Sequence, residues 1–494
     1  MTAQPVGQPS RYDVPEDWSL PDPAAVMGPG HVAVVLRVEK SVAEYFDTAA
    51  GDLLGFGATL LLRSGPSDAG WELTLPNGID PALHRAPLGS ETAVPDELAA
   101  LVSGIARGGA LLTSATVRSE RATHRWTDET GAVIVEITDE TLHASASTPG
   151  AAQLNSWREL TVEPGPAGRP KLVRRLVKAL TAGGATPASI ESRATRVLGG
   201  PSPQPPRKAK SGKKSPVDAV DAIAFLAAQD AALIAEDVRL RTGHEDVHTV
   251  RVATRRARST LKIFAGLFDP ATATGFSGEL AWYAALLGEV RDRQVQRDRF
   301  ATALAELPDE LVLGPIAATI EQHLLGEQLR AAATLREAMA GDRYHELLRT
   351  SSEFVRHPPL APSTRRRAGA RVTSSSVERA GRKARRRLDL ALDTGDDELL
   401  HEARKATKRA RYAAELGAGQ SGRHRAAVKA FKELQEILGE YQDSAVAAAL
   451  LRQLGAATHA DPTQNGFTFG ILHEQEARRA AHARAAAERW RRHH

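Results

Sequence analysis

The 494-residue chain contains no cysteine, which removes disulfides, thiolate metal sites and cysteine nucleophiles together. Its stability must come from packing. Aromatic residues are scarce, at 5% of the total. No apolar run approaches the ~20 residues that a membrane span needs. The first residues, MTAQPVGQPSRYDVPEDW, lack the basic and apolar regions of a secretory signal. The expectation is a cytoplasmic protein with no membrane partner. Apolar residues at 42% and charged residues at 25% describe an ordinary globular chain rather than a disordered one. Its length exceeds what one compact core holds, so at least two domains are expected.

Net charge is only +4, but it is unevenly placed. Residues 1–200 carry 17 Lys and Arg against 23 Asp and Glu, and the basic excess lies beyond them. Between the two regions stands GGPSPQPPRKAKSGKKSPVD, residues 199–218. Its Gly, Pro, Ser and Lys exclude a packed core, so residues 199–216 read as a solvated linker. Ser215 and Pro216 then suit an N-cap and a first helical position. Ahead of the linker, in residues 1–198, short alternating runs such as HVAVVLRVE, GATLLLR, GWELTL, SATVRSERATHRW, AVIVEITDE and WRELTVE predict strands. After it, from 217 to 494, Ala- and Leu-rich segments of helical period take over, broken at Pro270, Pro308, Pro315 and Pro358-Pro359. The predicted fold is α+β and multidomain: a β-rich module, then an all-α one.

Within the helical region the run HTVRVATRRAR from His248 returns as HEARKATKRAR from His401. At 100° per residue His248, Arg251, Arg255, Arg258 and Lys262 fall in an arc of about 80°. Val250, Ala253, Ala257, Leu261 and Phe264 fill a separate arc that can be buried. His401, Arg404, Lys408 and Arg411 repeat the cationic arc, and Ala403, Ala406, Ala410 and Ala414 the apolar one. Arg256 and Arg409 flank both stripes. LLGEVRD at 286–292 also recurs, as ILGEYQD at 437–443. Two motifs in the same order imply an internal duplication, about 217–345 and 370–494, and so two pseudo-symmetric helical bundles. Gly288 and Gly439 are expected to permit close helix approach, and Asp292 and Asp443 to orient a basic side chain.

A solvated helix flank usually mixes its charges. These stripes hold no acid among the named positions until Glu415, and like charges three or four residues apart destabilise a helix by a few tenths of a kcal/mol per pair. A bound anion would offset that cost, and the fixed fork of arginine donors suits phosphate. Each histidine is expected to donate to that anion and gain charge as it binds. A zinc site is not indicated, because Lys405 stands where HExxH needs its second histidine. SGKKS lacks the leading glycine of a P-loop, and GFGATL the third glycine of a dinucleotide loop.

HTVRVATRRARSTLKIF, LLGEVRD, HEARKATKRARYAAEL and KELQEILGEYQD together resemble the paired signatures of the CHAD family, the conserved-histidine α-helical domains. That resemblance covers roughly residues 217–455. It implies inorganic polyphosphate as the ligand, held in a groove or pore lined by the basic faces of the two bundles, and the expected location is the cytoplasm, where association with polyphosphate granules is compatible with that ligand. The residues assigned to this role are His248, Arg251, Arg255, Arg256, Arg258, Lys262, Arg291, His401, Arg404, Lys408, Arg409, Arg411 and Lys432.

The first module resembles a CYTH domain, the triphosphate-tunnel fold, through YFDT at 45–48, ATLLLRSGPSDAGWELTLP at 58–76, RSERATHRW, EITDE and WRELTVE. This implies a closed antiparallel β-barrel whose lumen holds a triphosphate among cations, with glutamates binding Mg or Mn. The departures fall on the chemistry. GQPSRY at 7–12 replaces the family's ExExK strand, and Leu61, Thr74 and Thr161 replace an arginine, a lysine and a glutamate. Arg63, Arg118 and Arg121 remain as a residual phosphate site, and Glu136, Glu159 and Glu163 as a remnant metal site. The expectation is a polyphosphate-binding protein that needs no cofactor and carries an inactive tunnel. The alternatives are a Mg- or Mn-dependent triphosphatase and a nucleic-acid-binding protein. Against the last, no aromatic side chain alternates with the arginines to stack bases, and Tyr412 is the one candidate nearby.

Overall fold

A computed structural model describes residues 10–76, 78–79, 82–89, 93–148, 151–188, 193–198, 219–361, 374–417, 422–457 and 465–494. The chain divides into two compact units, Met1–Lys208 and Ala209–His494. The linker expected at 199–216, with its Ser215-Pro216 helix start, lies outside the described residues. No helix among the described residues is long and apolar enough to cross a membrane.

The first unit is built on strands β1 Ser10–Val14, β2 Val32–Asp47, β3 Thr59–Ser64, β4 Gly70–Thr74, β5 Leu83–Ala86, β6 Leu112–Thr127, β7 Val133–Thr148, β8 Ala151–Pro164 and β9 Thr186–Pro187. Five helices accompany them: α1 Pro23–Met27, α2 Asp52–Phe56, α3 Asp96–Ala106, α4 Pro170–Ala182 and α5 Arg193–Leu198. Every strand predicted from alternation lies in this sheet, whose pairings are all antiparallel. The closed barrel is corrected. Among the described residues the order runs β5-β4-β3-β2-β6-β7-β8-β1-β9 and the ends do not join. The end strands have four and two residues, which offers too short a ladder to close the sheet.

Side chains alternate across this sheet. One face packs Tyr12, Trp126, Ile137, Leu160 and Val162 against Met27 of α1 and Leu176 and Leu180 of α4. The other carries Tyr45, Leu61, Val117, Leu142 and Trp157, and α5 lays Ala194 and Val197 on it.

The second unit is helical: α6 Ala219–Arg241, α7 His248–Ile263, α8 Pro270–Ala305, α9 Ile316–Ala340, α10 Asp342–Arg356, α11 Ser374–Thr394, α12 Asp397–Gly417, α13 Gly422–Ala457 and α14 Phe467–His493. The prolines act as punctuation. Pro270 opens α8 behind Asp269, whose carboxylate caps the Thr272 amide at 2.9 Å. α7 packs between α6 and α8, and α12 between α11 and α13. In each set the cationic helix precedes a helix of 36 residues. The apolar arcs read from the sequence are buried as expected: Val250, Ala253, Ala257 and Leu261 on α7 with Phe264 just past its end, and Ala403, Ala406, Ala410 and Ala414 on α12.

Candidate functional site

Burying those arcs aims the neighbouring cationic stripes, because α7 and α12 also touch each other. Ala413 and Ala414 of α12 share a buried cluster with Ile263 of α7, and the long side chains of the two helices meet beside it. Lys408 is where the charges converge. Burial, and then Arg404, Arg255 and Arg251, pull its ammonium down to about 7, with Asp443 opposing. Burial likewise lowers Arg255; Tyr412 opposes this, and Arg251 and Arg411 add to the lowering. The Tyr412 ring sits beneath this group, 5.5 Å from the Arg255 guanidinium carbon and 4.8 Å from that of Arg411.

Few acids answer these charges. Arg251 donates to Asp292 at 2.8 Å and Arg404 approaches Asp443 at 3.6 Å, so the two aspartates hold matching arginines, as their shared motif suggested. Arg411 reaches Glu415 at 3.3 Å. The Nε groups of Arg255, Arg256, Arg258 and Arg404 are buried and have no hydrogen-bond partner among the described residues. A buried donor left without a partner costs about 1–3 kcal/mol.

The histidines differ. His401 sets Nδ1 3.2 Å from Gln442 Oε1; burial and then Lys405 lower its pKa, with Gln442 opposing. His248 is exposed at the start of α7, where its backbone amide donates to Asp246. Two assigned cations bond elsewhere: Arg291 donates to Gln294 at 3.4 Å, and Lys432 lies 3.7 Å from Glu436, each within its own helix. The glycine expectation is also corrected. A Cβ on Gly288 would meet nothing within 4 Å, and one on Gly439 would meet only the Arg404 guanidinium, at 3.6 Å. Neither marks a tight helix crossing; Gly439 leaves room for an arginine.

Next to the converging stripes lies a cavity of about 190 Å³ that takes Lys262 and Arg409 into its lining with Arg379 and Lys383 of α11. Arg379 and Lys383 escaped the sequence reading. Their signal was the run RAGRKARRR at 379–387, which has no counterpart in the duplicated half.

In the first unit the remnant residues are only partly assembled. Arg121 pairs in register with Glu140, and Glu140 with Glu159. Arg193 of α5 binds both carboxylates, donating from Nη2 to Glu140 at 2.5 Å and from Nε to Glu159 at 2.6 Å. Burial pushes the Glu140 carboxyl up, but Arg193 and Arg121 outweigh it and hold it below the usual carboxylate range. Arg63 shares this face: burial raises the Tyr45 phenol, and Arg193 and Arg63 draw it back. Arg118 does not join them. It is exposed and lies one residue out of phase with the buried Val117 and Ser119, on the opposite face.

Glu136 accepts from Arg125 at 2.7 Å, and Glu163, its register partner on β8, is exposed. With Glu136 and Glu159 held by guanidiniums, these three carboxylates do not fit a divalent-ion site, and no group of three candidate ligands occurs among the described residues. Glu140 was legible four residues after Glu136 on the same strand face; Arg193 gave no local signal.

A family model described as the CHAD domain matches residues 224–452. An uncharacterised protein of Mycobacterium tuberculosis (strain CDC 1551 / Oshkosh) is 32% identical over 483 residues, covering 92% of this chain and 91% of its own. Among solved structures, PptA from Streptomyces chartreusis aligns at a TM-score of 0.47 and 22% identity over 56% of this chain and 99% of its own. A putative adenylate cyclase from Bacillus halodurans aligns at a TM-score of 0.22 and 12% identity, over 34% of this chain and 95% of its own. A putative adenylyl cyclase from Hippeastrum, described as having a dominant triphosphatase activity, aligns at 0.21 and 15%, over 40% and 97%. At these scores the structural likenesses bear on neither ligand nor reaction.

Proposed function

Since this chain belongs to the CHAD-domain family, we propose that its helical unit binds inorganic polyphosphate along the cationic faces of α7 and α12. One observation carries this reading: four buried guanidinium Nε groups without partners, on the two helices that crowd Lys408 until its pKa reaches about 7. Such an arrangement stores repulsion that a string of phosphate oxygens would relieve, each oxygen accepting from arginine forks at charge-assisted distance. Nucleic acid suits the site less well. Tyr412 is 3% exposed and covered by Arg255 and Arg411, so its ring is not open to a base.

The β-rich unit is read as a CYTH-like domain without hydrolytic function. Its cations and carboxylates neutralise each other across Arg193, and no metal-dependent step is assigned to it.

The test is a titration of the full chain with long-chain polyphosphate and, in parallel, single-stranded RNA. Polyphosphate should bind with an affinity that falls steeply with salt, at a log–log slope of about 0.7 per phosphate contact as for single-stranded nucleic acids. Replacing Arg251, Arg255, Arg404 and Lys408 together with alanine should remove most of that affinity. Equal binding by a folded quadruple variant would reduce the stripes to solvated flanks, and tighter binding of RNA would transfer the site to nucleic acid.

A further inference from the structure

The two cationic stripes are not equivalent at their ends. The repeat is offset by 153 residues from His248 to His401, and at that offset Lys262 is matched by Glu415. Glu415 lies 3.3 Å from Arg411 and closes that end with an acid. At the other end Lys262 has no such partner and opens instead onto the cavity of about 190 Å³. Four of the residues lining this cavity are cations, Lys262, Arg379, Lys383 and Arg409, and none is acidic. No ion pair joins any of the four to a carboxylate among the described residues. Arg258 adds a buried Nε without a partner. Arg258 and Lys262 are both lowered, by burial first and then by Arg409; Lys383 adds to the lowering of Lys262. The extra charge comes from α11. The corresponding helix ahead of the first stripe, α6, has no Lys or Arg before Arg239.

The cavity, of about 190 Å³, opens to solvent on one side and has room for a compact anionic group. Ile263, Ala380 and Ala406 form apolar parts of its wall, which a uniformly anionic chain interior would leave unused. A terminal phosphate leaves the same wall unused, and differs from an interior one in its charge. An interior group of a polyphosphate carries one charge, whereas an end group carries close to two at neutral pH, with three acceptor oxygens facing outward. Four cations around a compact cavity match that end group better than they match the chain.

We infer that the α7–α11–α12 cavity is a terminal-phosphate subsite at one end of the polyphosphate track, so that the track holds its ligand by one end. The inference rests on the polyphosphate reading of the stripes. A phosphate end of this chemistry belongs to a linear polyphosphate or to an organic phosphate such as a nucleotide, whose apolar part would meet the alanine and isoleucine wall.

The experiment compares the full-length protein with the Arg379→Ala/Lys383→Ala variant, in metal-free buffer. The probes are linear tripolyphosphate, ATP, cyclic trimetaphosphate (which has no end group) and long-chain polyphosphate. The double substitution should weaken tripolyphosphate about tenfold, while trimetaphosphate stays within about twofold and long chains, poor in ends, within about threefold. Loss of ATP binding with tripolyphosphate unchanged overturns the claim that the track holds polyphosphate by its end and leaves an organic-phosphate site in its place. Equal losses for the linear and cyclic probes, or no loss for tripolyphosphate and ATP alike, overturn the inference. The polyphosphate reading fails separately, if long chains bind the unaltered protein no better than the Arg251/Arg255/Arg404/Lys408 variant.

Discussion

Lys408 is the residue on which charge and pH meet. In the free protein its ammonium titrates at about 7 instead of near the ordinary ~10.4 of lysine. A bound polyanion raises that value again, so binding takes up a proton above pH 7. The Lys408 contribution to affinity should therefore be flat below about pH 7 and fall by up to about tenfold per unit above it, until the pKa of the complex is passed. Titrations between pH 6 and 9 check this. Lys408→Arg, charged throughout, should flatten the profile, and His248→Gln/His401→Gln should leave it in place. Burial and Lys405 set the His401 transition below its ordinary ~6.5, so a proton taken up by that ring on binding adds a separate response on the acid side of the Lys408 one.

Arg193 holds a comparable place in the sheet. Glu140 and Glu159 are 2% and 3% exposed, and Arg193→Ala would leave two buried carboxylates side by side. A loss of about 3–5 kcal/mol is expected from removing one member of such a network, read as a lower denaturant midpoint. Adding Glu140→Gln and Glu159→Gln should recover most of it. Because Glu140 is held below the usual range, its contribution is present above about pH 4.3 and disappears in acid, as the unfolded chain takes up the proton first.

For a single helix, small side chains and long ones divide the work. On α12 the alanines at 403, 406 and 410 are buried in a core shared with α11, α13 and α14. They bring the helix close to those three neighbours, which fixes the direction in which its cations point. Ala410→Leu should overpack this crossing and cost about 1–3 kcal/mol, measured by chemical denaturation, and should weaken polyphosphate binding although no charge is altered. In β7, alternation decides the outcome. Glu136 and Glu140 fall on one face, yet each meets its own arginine from β6, Arg125 and Arg121, so a strand that reads as a metal-binding remnant is a ladder of ion pairs.

In the whole molecule the two units have opposite electrostatic economies. In the first, Arg121, Arg125, Arg158 and Arg193 are answered by carboxylates of the sheet, and the unaltered chain should accordingly release phosphate from tripolyphosphate no faster than buffer containing Mg or Mn. Metal-dependent release abolished by Glu159→Gln would place the protein among enzymes. In the second, the cations of α7 and α12 form two matched stripes with few acids among them, and the sequence alone was enough to find those stripes. Helical period separates the buried arc from the charged one, and repetition at a fixed offset shows that the pattern is not chance. Strand alternation similarly located the sheet. Contacts between segments distant in sequence were decided only by the tertiary structure. Whether nine strands close, that Arg118 points away from Arg121, that Arg193 bridges Glu140 and Glu159, and that α11 lends Arg379 and Lys383 to one end of the track all depend on it. Periodicity reports which face of an element a residue occupies; what that face meets is set by packing between elements, and no local pattern encodes it.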